Sequence, residues 1–359
     1  NRFAVERSEV EISADSSAPP GDLASWALSV LTPGSAEPVP PLTTVAGDAS
    51  NRRYFRAMFG GLSYVLVDSP PATEKNQAFL AVRELFAGAG VRVPALYAAD
   101  LERGYMVLED LGDQLLLEQL RAGAGAEPYT ESLDLLLRMR AIDVHGLSLP
   151  AYDEALLREE LGRFPAWFVQ ALLEQSLDAS EERLLAAVFD ILVSSALEQP
   201  TVVVHRDFHS RNLMPQPGGG LGVIDFQDAV VGPVTYDLVS LLRDCYIPWP
   251  PEQVEQWALS YRGQRHRSGL PGGVAPEHFL RWFDLMGLQR HIKVLGTFAR
   301  LYLRDGKSAY LADLPLVIHY VQEIAHRYAG EEPLLGEFQQ WFAARLSPAI
   351  AGQSWSAAR

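Results

Sequence analysis

The stretch from residue 202 to residue 237, VVVHRDFHSRNLMPQPGGGLGVIDFQDAVVGPVTYD, constrains the fold more than any other part of the chain. Its three opening valines predict a buried strand. Leu213 begins a second short strand, PQPGGG predicts a turn, and residues 221–224 form the returning strand. The sequence therefore predicts an antiparallel hairpin that follows a loop rich in polar residues.

Three polar side chains flank this hairpin. Asn212 precedes its first strand, Asp225 ends its second strand, and Asp207 lies one loop turn away. Because an antiparallel pair places the start of one strand beside the end of the other, Asn212 and Asp225 should face the same space. Carboxylate and carboxamide oxygens are hard ligands, so the pattern predicts a site for Mg²⁺ bound together with phosphate.

The spacing of these residues matches a catalytic pattern. His205, Arg206 and Asp207 are followed by Asn212, and Asp225 opens a D-F-x triplet. This order reproduces the H-R-D-x-x-x-x-N loop and the metal-binding triplet of protein kinases. The alternative is a chance tripeptide on a solvated loop. The asparagine in register and the I-D-F at the right distance argue against that alternative.

Length and composition limit the class of protein. A chain of 359 residues exceeds the size that one hydrophobic core usually serves, so we expect two lobes. The net charge of −15 argues against a nucleic-acid partner, and no apolar run approaches the roughly 20 residues of a membrane span. The lone cysteine, Cys245, excludes an internal disulfide, and the first residues lack an apolar signal segment. We therefore expect a monomeric cytoplasmic protein.

The hydrophobic patterns predict an α+β fold with a small β-rich N-lobe and a larger, mainly helical C-lobe. We expect residues 1–40 to form a poorly ordered leader with one short helix, and residues 41–108 to form the N-lobe. A hinge at 109–112 leads to the C-lobe at 113–359, which contains the loop and hairpin at 202–228. The hinge should lie at the mouth of a cleft, where ligand sites are common.

Helical spacing of apolar residues predicts one helix in the N-lobe and several in the C-lobe. Thr73 is the predicted N-cap of the N-lobe helix, which Gly88 and Gly90 close. The C-lobe helices are predicted at 113–121, 130–145, 154–175, 181–198, 235–246, 276–304, 308–329 and 334–346.

The segment GDASNRR, at residues 47–53, is a candidate phosphate loop. Small residues at a strand turn expose backbone N–H groups, and the two arginines that follow supply positive charge. An ordinary polar hairpin turn would have the same composition. Its position ahead of the catalytic loop favours the phosphate loop.

Taken in order, the segments GDASNRRYFR, MVLEDLG, HRDFHSRN, IDFQDA and YDLVSLL resemble the aminoglycoside phosphotransferase and choline kinase-like family. Further segments, VDSPP, FPAWF, GLQRHIKVLGTFARL and RDGKSAYLADLP, look like the bacterial anomeric kinases of that family. Those enzymes phosphorylate O1 of N-acetylmuramate and N-acetylglucosamine in peptidoglycan recycling. The resemblance runs from about Leu42 to Phe342. It implies a two-lobed protein-kinase-like fold, ATP as the phosphoryl donor and Mg²⁺ as cofactor.

The resemblance also implies roles for individual residues. Asp207 would act as the catalytic base, Asn212 and Asp225 would hold Mg²⁺, and Asp237 would brace the catalytic loop, with His205 packed beneath it. Adenine would bond to the hinge backbone. The expected nucleotide-binding residues are Asp48, Ala49, Ser50, Asn51, Arg52, Arg53, Met106, Glu109 and Leu111.

One feature departs from the kinase pattern. The strand that normally carries a phosphate-binding lysine reads YVLVD, with Asp68 near the expected place. Asp68 cannot hold a phosphate but can orient an arginine, so the phosphate charge should fall to Arg52 or Arg53. Glu74 and Glu84 have no lysine to pair with, and the sequence assigns them no role.

The acceptor pocket is predicted in the C-lobe, because an aromatic face suits a pyranose and a cation suits a lactyl carboxylate. The candidate substrate-binding residues are Arg206, Arg211, Arg163, Phe164, Trp167, Phe168, Arg290, His291 and Lys293. Each also fits an ordinary helix face or core position. Two rival functions remain: a kinase of another small acceptor, namely an aminoglycoside, choline or homoserine, and a pseudokinase that binds nucleotide and regulates a partner.

Overall fold

A computed structural model describes residues 18–45, 51–264 and 274–356 of the chain. Contacts divide the chain into two compact units. The first is Asn1–Leu80 with Pro94–Leu111, and the second is Ala81–Val93 with Gly112–Arg359. The second division point falls between Leu111 and Gly112, within the segment predicted as a hinge.

The first unit contains a five-stranded antiparallel sheet with the strand order β1-β2-β3-β5-β4. Its strands are β1 (Thr43–Thr44), β2 (Arg53–Phe59), β3 (Leu62–Asp68), β4 (Leu96–Asp100) and β5 (Tyr105–Glu109). A turn at Gly60 and Gly61 joins β2 to β3, and both glycines have positive φ angles, which glycine adopts without strain.

Helix α1 (Leu23–Leu31) packs on this sheet. Leu23 and Ala27 are fully buried against alternate residues of β2, namely Phe55, Ala57 and Phe59. This alternation is what a strand with one buried face requires. The short helix predicted in the leader is therefore present and forms part of the core of the first unit.

The second unit is mainly helical. The division between the two units runs through helix α2 (Asn76–Gly88). The helices that follow it in the second unit are α3 (Leu116–Arg121), α4 (Glu127–Arg140), α5 (Glu154–Arg163), α6 (Ala179–Leu197), α7 (Tyr236–Leu242), α8 (Pro251–Gly263), α9 (Pro276–Asp305), α10 (Leu314–Arg327), α11 (Pro333–Trp341) and α12 (Ser347–Ala351). Wide π turns extend α5 over Phe164–Leu172 and α11 over Phe342–Leu346, and a 3₁₀ turn covers Ser308–Asp313. Its strands are β6 (Thr201–Val204), β7 (Leu213–Pro215), β8 (Leu221–Val223) and β9 (Val230–Pro233).

The predicted hairpin is confirmed, since β7 pairs with β8 in antiparallel register. Three local predictions differ from the structure. Helix α2 begins at Asn76, so Thr73 lies in the preceding turn and is not the N-cap. Helix α8 was not predicted, although Pro251 at its first turn and the buried residues of one face were a usable signal. Strand β9, which pairs with β6, was also missed because its partner is distant in sequence.

Helix α9 is the central element of the second unit. It is 30 residues long and is buried over most of its length between Phe279 and Ala299. Gly296 lets α9 meet the end of α5 directly, because a Cβ there would lie 2.3 Å from the carbonyl carbon of Arg163. Within the described ranges no helix is long and apolar enough to cross a membrane.

Candidate active site

The hairpin brings the predicted metal-binding residues together. Asn212 Nδ2 donates to the main-chain oxygen of Asp207 at 2.9 Å and to Asp225 Oδ2 at 3.4 Å. The N–H of Ile224 donates to the carbonyl of Asn212 at 3.1 Å, which closes the hairpin at this end. The side chains of Asn212 and Asp225 therefore face the same space, as the antiparallel register predicts.

The donor set suits Mg²⁺. Asn212 uses its amide nitrogen inside the site, which leaves its carbonyl oxygen for a cation. Asp225 has a positive φ of 62°, and Gln227 Nε2 donates to its Oδ1 at 2.6 Å. In the described part of the chain, no group of three or more His, Cys, Asp or Glu side chains forms a metal cage. Mg²⁺ commonly binds through one or two carboxylates plus substrate phosphates, so the residues present fit that mode.

Asp237, at the start of α7, fixes the backbone that precedes Asp207. Its carboxylate accepts from the N–H of His205 at 2.6 Å and from the N–H of Arg206 at 3.0 Å. Arg206 has a φ of 78°, a conformation that costs a non-glycine residue free energy. Burial raises the pKa of Asp237 to about 7, although the two N–H donors oppose that shift. The bracing role that the family resemblance implies is present in the structure.

A second carboxylate, Asp244, holds the far side of the same loop. Its Oδ2 accepts from the N–H of Ser210 at 3.0 Å and from the Ser210 hydroxyl at 2.5 Å, and its Oδ1 accepts from the N–H of Tyr246 at 2.9 Å. Asp244 is fully buried. The sequence analysis missed it, although an aspartate inside the apolar run LVSLLRDCY was a signal that a buried partner exists.

His205 is a buried, uncharged residue beneath the catalytic loop. Its Nε2 lies 3.0 Å from the carbonyl of Ile224, and its Nδ1 accepts from the N–H of Asp207 at 3.3 Å. Burial lowers the pKa of His205 to about 4, so the ring is uncharged at neutral pH. The ring of Phe86 stacks on it at 6.1 Å between centroids. His205 therefore links the catalytic loop to the segment that carries Asp225.

Asp207 differs from these bracing carboxylates. Across the described ranges no group donates a hydrogen bond to its side-chain oxygens, whereas its main-chain oxygen accepts from Asn212 Nδ2 and from the N–H of His209. Burial would raise the pKa of Asp207, but nearby basic groups hold it below its ordinary value. Those groups are His209, Lys293, Arg290 and Arg206. Asp207 is thus ionised at neutral pH, and its carboxylate oxygens can accept a hydrogen bond from a substrate.

Glu160 of α5 is a fully buried carboxylate that joins the catalytic loop to α9. Its Oε1 accepts from Arg206 Nη2 at 2.5 Å and from Lys293 Nζ at 2.8 Å, and the hydroxyl of Tyr152 donates to its Oε2. Burial would raise the pKa of Glu160, but Lys293 and Arg206 hold it below its ordinary value. Glu160 could not be singled out from sequence, because the segment EALLREELGR resembles a solvated helix face.

Glu160→Gln should lower the free energy of unfolding by roughly 3–5 kcal/mol, because two partly desolvated cations lose their shared anion. The deficit should be full at neutral pH and should shrink as the pH falls below the ordinary value of a glutamate, since the depressed pKa stabilises the fold only while Glu160 is ionised. Urea unfolding of both proteins between pH 4 and pH 8 measures it.

Glu159→Gln is the matched control for that experiment. Glu159 is the adjacent residue of α5, its side chain is 56% exposed, and it pairs with Arg163 one turn away. Such a pair contributes about 0.3–0.5 kcal/mol. Equal losses in the two variants would contradict the assigned role of Glu160.

In the first unit, Arg52 is a buried arginine held by Glu74 and Ser69. Arg52 is 2% exposed, its Nη2 lies 3.3 Å from Glu74 Oε2, and its Nε donates to Ser69 Oγ at 3.0 Å. The N–H of Asn51 donates to Glu74 Oε1 at 3.1 Å. The sequence assigns Glu74 no role, because the kinase pattern pairs a helix glutamate with a lysine and this chain has none at that place. The predicted loop residues Asp48, Ala49 and Ser50 lie outside the described ranges.

Arg53 pairs with Asp68, as the predicted orienting role of that carboxylate requires. Its Nε and Nη2 lie 2.8 Å and 2.5 Å from Asp68 Oδ2, and its Nη1 donates to the carbonyl of Ala18 at 2.7 Å. The register of β2 against β3 sets this pair, because Arg53 and Asp68 are direct neighbours across the strands. Of the two arginines, Arg52 is the buried one.

The residues predicted to meet adenine belong to β5 and the segment after it. Met106 is fully buried in the sheet, and Leu111 is 7% exposed. The N–H of Glu109 donates to the carbonyl of Ala95 at 2.8 Å, and its side chain accepts from the Ala95 N–H at 3.2 Å. Asp110, which the sequence analysis did not single out, accepts from Arg56 Nε at 2.6 Å. This segment is therefore held firmly within the first unit.

The predicted acceptor-pocket residues fall into different environments. Phe164 and Phe168 are fully buried and stack on each other, and Trp167 is half-buried. His291 is fully buried, with its Nε2 3.0 Å from the carbonyl of Arg243. Arg163 pairs with Glu159, Arg211 lies over the ring of Tyr246 at 4.8 Å, and Arg290 is 4% exposed. Of this set, the basic residues that interact electrostatically with Asp207 are Arg206, Arg290 and Lys293.

Comparison with known proteins agrees with the predicted resemblance. Residues 41–271 match the family described as "Phosphotransferase enzyme family". The N-acetylmuramate/N-acetylglucosamine kinase of Pseudomonas aeruginosa is 45% identical over 294 residues, which cover 80% of this chain and 86% of that protein. The protein of the same name from Pseudomonas putida is 42% identical over 309 residues, which cover 85% of this chain and 88% of the relative.

The solved structure of the choline kinase LicA from Streptococcus pneumoniae has a TM-score of 0.54 with this chain at 16% identity. The match covers 83% of this chain and 97% of that one. At that identity the likeness shows the fold alone, and it confirms the predicted α+β, protein-kinase-like fold class.

Proposed function

Because this chain belongs to the phosphotransferase enzyme family, we propose that it transfers the γ-phosphoryl group of ATP to the anomeric hydroxyl of N-acetylmuramate or N-acetylglucosamine. The observation that carries the proposal is the side chain of Asp207. No described group donates a hydrogen bond to its side-chain oxygens, and its main-chain oxygen accepts from Asn212, which is itself paired with Asp225.

Asp207 orients the sugar hydroxyl and accepts its proton as the sugar oxygen forms a bond to the γ-phosphorus. The bond from that phosphorus to the oxygen of ADP breaks, and ADP leaves. An anomeric hydroxyl is more acidic than an ordinary alcohol, so a carboxylate with a depressed pKa suffices as the base. Asp237 and Asp244 keep Asp207 in position, because catalysis of this class consists mainly of positioning and charge stabilisation.

Asn212 and Asp225 would hold Mg²⁺ on the phosphates. When bound, the metal neutralises charge on the phosphoryl group and the leaving oxygen. Arg52, fixed by Glu74 and Ser69, is our candidate for the phosphate contact that a lysine makes in other kinases. The main-chain groups of Glu109 and Leu111 are our candidates for the adenine contacts.

The charge around Asp207 favours these sugars over a cationic acceptor. Arg206, Arg290 and Lys293 all act on its carboxylate, so an aminoglycoside or choline would meet positive charge there. A neutral or acidic sugar would not. The proposed reaction fits a monomeric cytoplasmic enzyme that recovers sugars of the cell wall.

An ADP-release assay across five acceptors tests the proposal: N-acetylmuramate, N-acetylglucosamine, kanamycin, choline and homoserine. We expect turnover with at least one of the two amino sugars and none with the cationic acceptors. Phosphorus NMR of the product should show a phosphate on C1. Turnover restricted to kanamycin, choline or homoserine would contradict the proposed acceptor, and absence of any turnover would favour a pseudokinase.

A further inference from the structure

Arg290 is a buried cation that forms no ion pair with any described carboxylate. It lies on α9 and is 4% exposed. Its Nε is buried and makes no hydrogen bond, and the one hydrogen-bond acceptor near its guanidinium is the thiol of Cys245, 3.6 Å from Nη1. Within the described ranges no carboxylate forms an ion pair with it. A thiol is a weak acceptor, and a guanidinium remains charged in proteins. Groups that include Asp207 stabilise this charge at longer range, but among the described residues no carboxylate is in hydrogen-bond contact with it.

Lys293 makes the contrast clear, because it lies one turn further along the same helix. Lys293 pairs with Glu160 at 2.8 Å and donates to the hydroxyl of Tyr236 at 2.9 Å. The fold therefore provides a carboxylate in contact with Lys293, and the described part of the chain provides none in contact with Arg290. Packing does not require an arginine at this position, because burial of an apolar residue of similar length would cost less desolvation free energy.

Arg290 is placed beside the catalytic loop. Its thiol neighbour Cys245 precedes Tyr246, whose ring contacts the ring of His209 at 5.3 Å and lies under the guanidinium of Arg211 at 4.8 Å. The carboxylate of Asp207 lies within electrostatic range of Arg290. An unpartnered guanidinium thus lies close to the proposed base, on the side of the loop that Tyr246 covers.

We propose that Arg290 receives a carboxylate of the acceptor, which in the reaction proposed above is the lactyl carboxylate of N-acetylmuramate. A guanidinium binds a carboxylate through two parallel hydrogen bonds, and such bonds are strongest where water is excluded. N-acetylglucosamine lacks that carboxylate, so Arg290 would set the preference between the two sugars. The inference rests on the proposed function and extends it to one specificity-determining residue.

The test compares Arg290→Met, Arg290→Lys and the control Arg304→Met on three substrates. These are N-acetylmuramate, its lactyl methyl ester and N-acetylglucosamine. Arg304 is on the same helix with its side chain 56% exposed, and it pairs only with Asp305. We expect Arg290→Met to lower the ratio of kcat/KM for N-acetylmuramate to that for N-acetylglucosamine by about 10- to 100-fold, as the loss of a charged hydrogen-bonded pair implies. Arg290→Lys should retain part of the preference, and Arg304→Met should retain all of it.

A second readout separates recognition from structure. Replacement of a buried guanidinium that has no carboxylate in contact with it should leave the Tm of Arg290→Met at or above the wild-type value. The wild-type enzyme should favour the acid over its methyl ester, and Arg290→Met should lose that difference. A lower Tm, or equal losses of kcat/KM on all three substrates, would overturn the inference and identify a structural or phosphoryl-contacting arginine.

Failure of the function and failure of the inference give different results. If the wild-type enzyme phosphorylates neither sugar, the proposed function fails and this inference falls with it. If the wild-type enzyme phosphorylates both sugars but the ratio is unchanged in Arg290→Met, only the inference fails.

Discussion

Asp207→Asn should lower kcat by about 10²- to 10⁴-fold while the affinity for ATP stays at its wild-type value. Asparagine has the shape of aspartate but cannot accept a proton. The hydrogen bonds that hold this residue in the loop involve its main-chain oxygen and N–H, so the substitution should leave the loop in place. ADP release measures kcat, and calorimetric titration with ATP measures the affinity.

Asp190→Asn is the control for this variant, because Asp190 lies on α6 with its side chain 63% exposed and pairs only with Arg158. It should keep the wild-type kcat. Near-normal turnover by Asp207→Asn would remove Asp207 as the base. A large loss of ATP affinity would instead mean that the carboxylate acts on the nucleotide.

Asp225→Asn should lower kcat by about 10²- to 10³-fold and raise the Mg²⁺ concentration for half-maximal activity by about tenfold or more. The substitution replaces a charged ligand with a neutral one. It also disturbs the contacts that Asp225 receives from Asn212 Nδ2 at 3.4 Å and from Gln227 Nε2 at 2.6 Å. A Mg²⁺ titration at saturating ATP and sugar measures both effects.

The two substitutions should therefore differ in their response to metal. Asp207→Asn should leave the Mg²⁺ requirement unchanged, whereas Asp225→Asn should shift it, and a chelator should abolish the activity of the wild-type enzyme. The same Mg²⁺ dependence in Asp225→Asn and in the wild-type enzyme would rule out Asp225 as a metal ligand. Thermal unfolding of the apo proteins checks that the variants remain folded.

The catalytic hairpin could be predicted because its geometry is local. Asn212 and Asp225 are separated by one turn, and a hairpin register leaves two residues at its open end little freedom. The spacing between Asp207 and Asn212 then indicated a kinase-type catalytic loop with Asp207 as the candidate base. The same local logic predicted the orienting role of Asp68, since strand neighbours follow from the Gly60–Gly61 turn.

The carboxylates that support the loop could not be found in that way. Glu160 lies 46 residues from Arg206 in sequence, and Asp244 lies 34 residues from Ser210. Without knowledge of its partner, Glu160 resembles a solvent-exposed helix residue, and Asp244 resembles a single charged residue in an apolar segment. Glu74 was overlooked for a related reason, because its partner is Arg52, whereas the kinase pattern pairs a glutamate with a lysine.

By itself, the sequence determined the kinase-like catalytic loop, the paired Asn212 and Asp225, and the identity of Asp207 as the candidate base. These depend on residue type and short spacing. Only the tertiary structure decided which of the buried cations near Asp207 have a carboxylate in contact with them. Lys293 pairs with Glu160, whereas no carboxylate in the described part of the chain pairs with Arg290. That difference depends on how α5 packs against α9, and such long-range packing leaves no periodic trace in the chain.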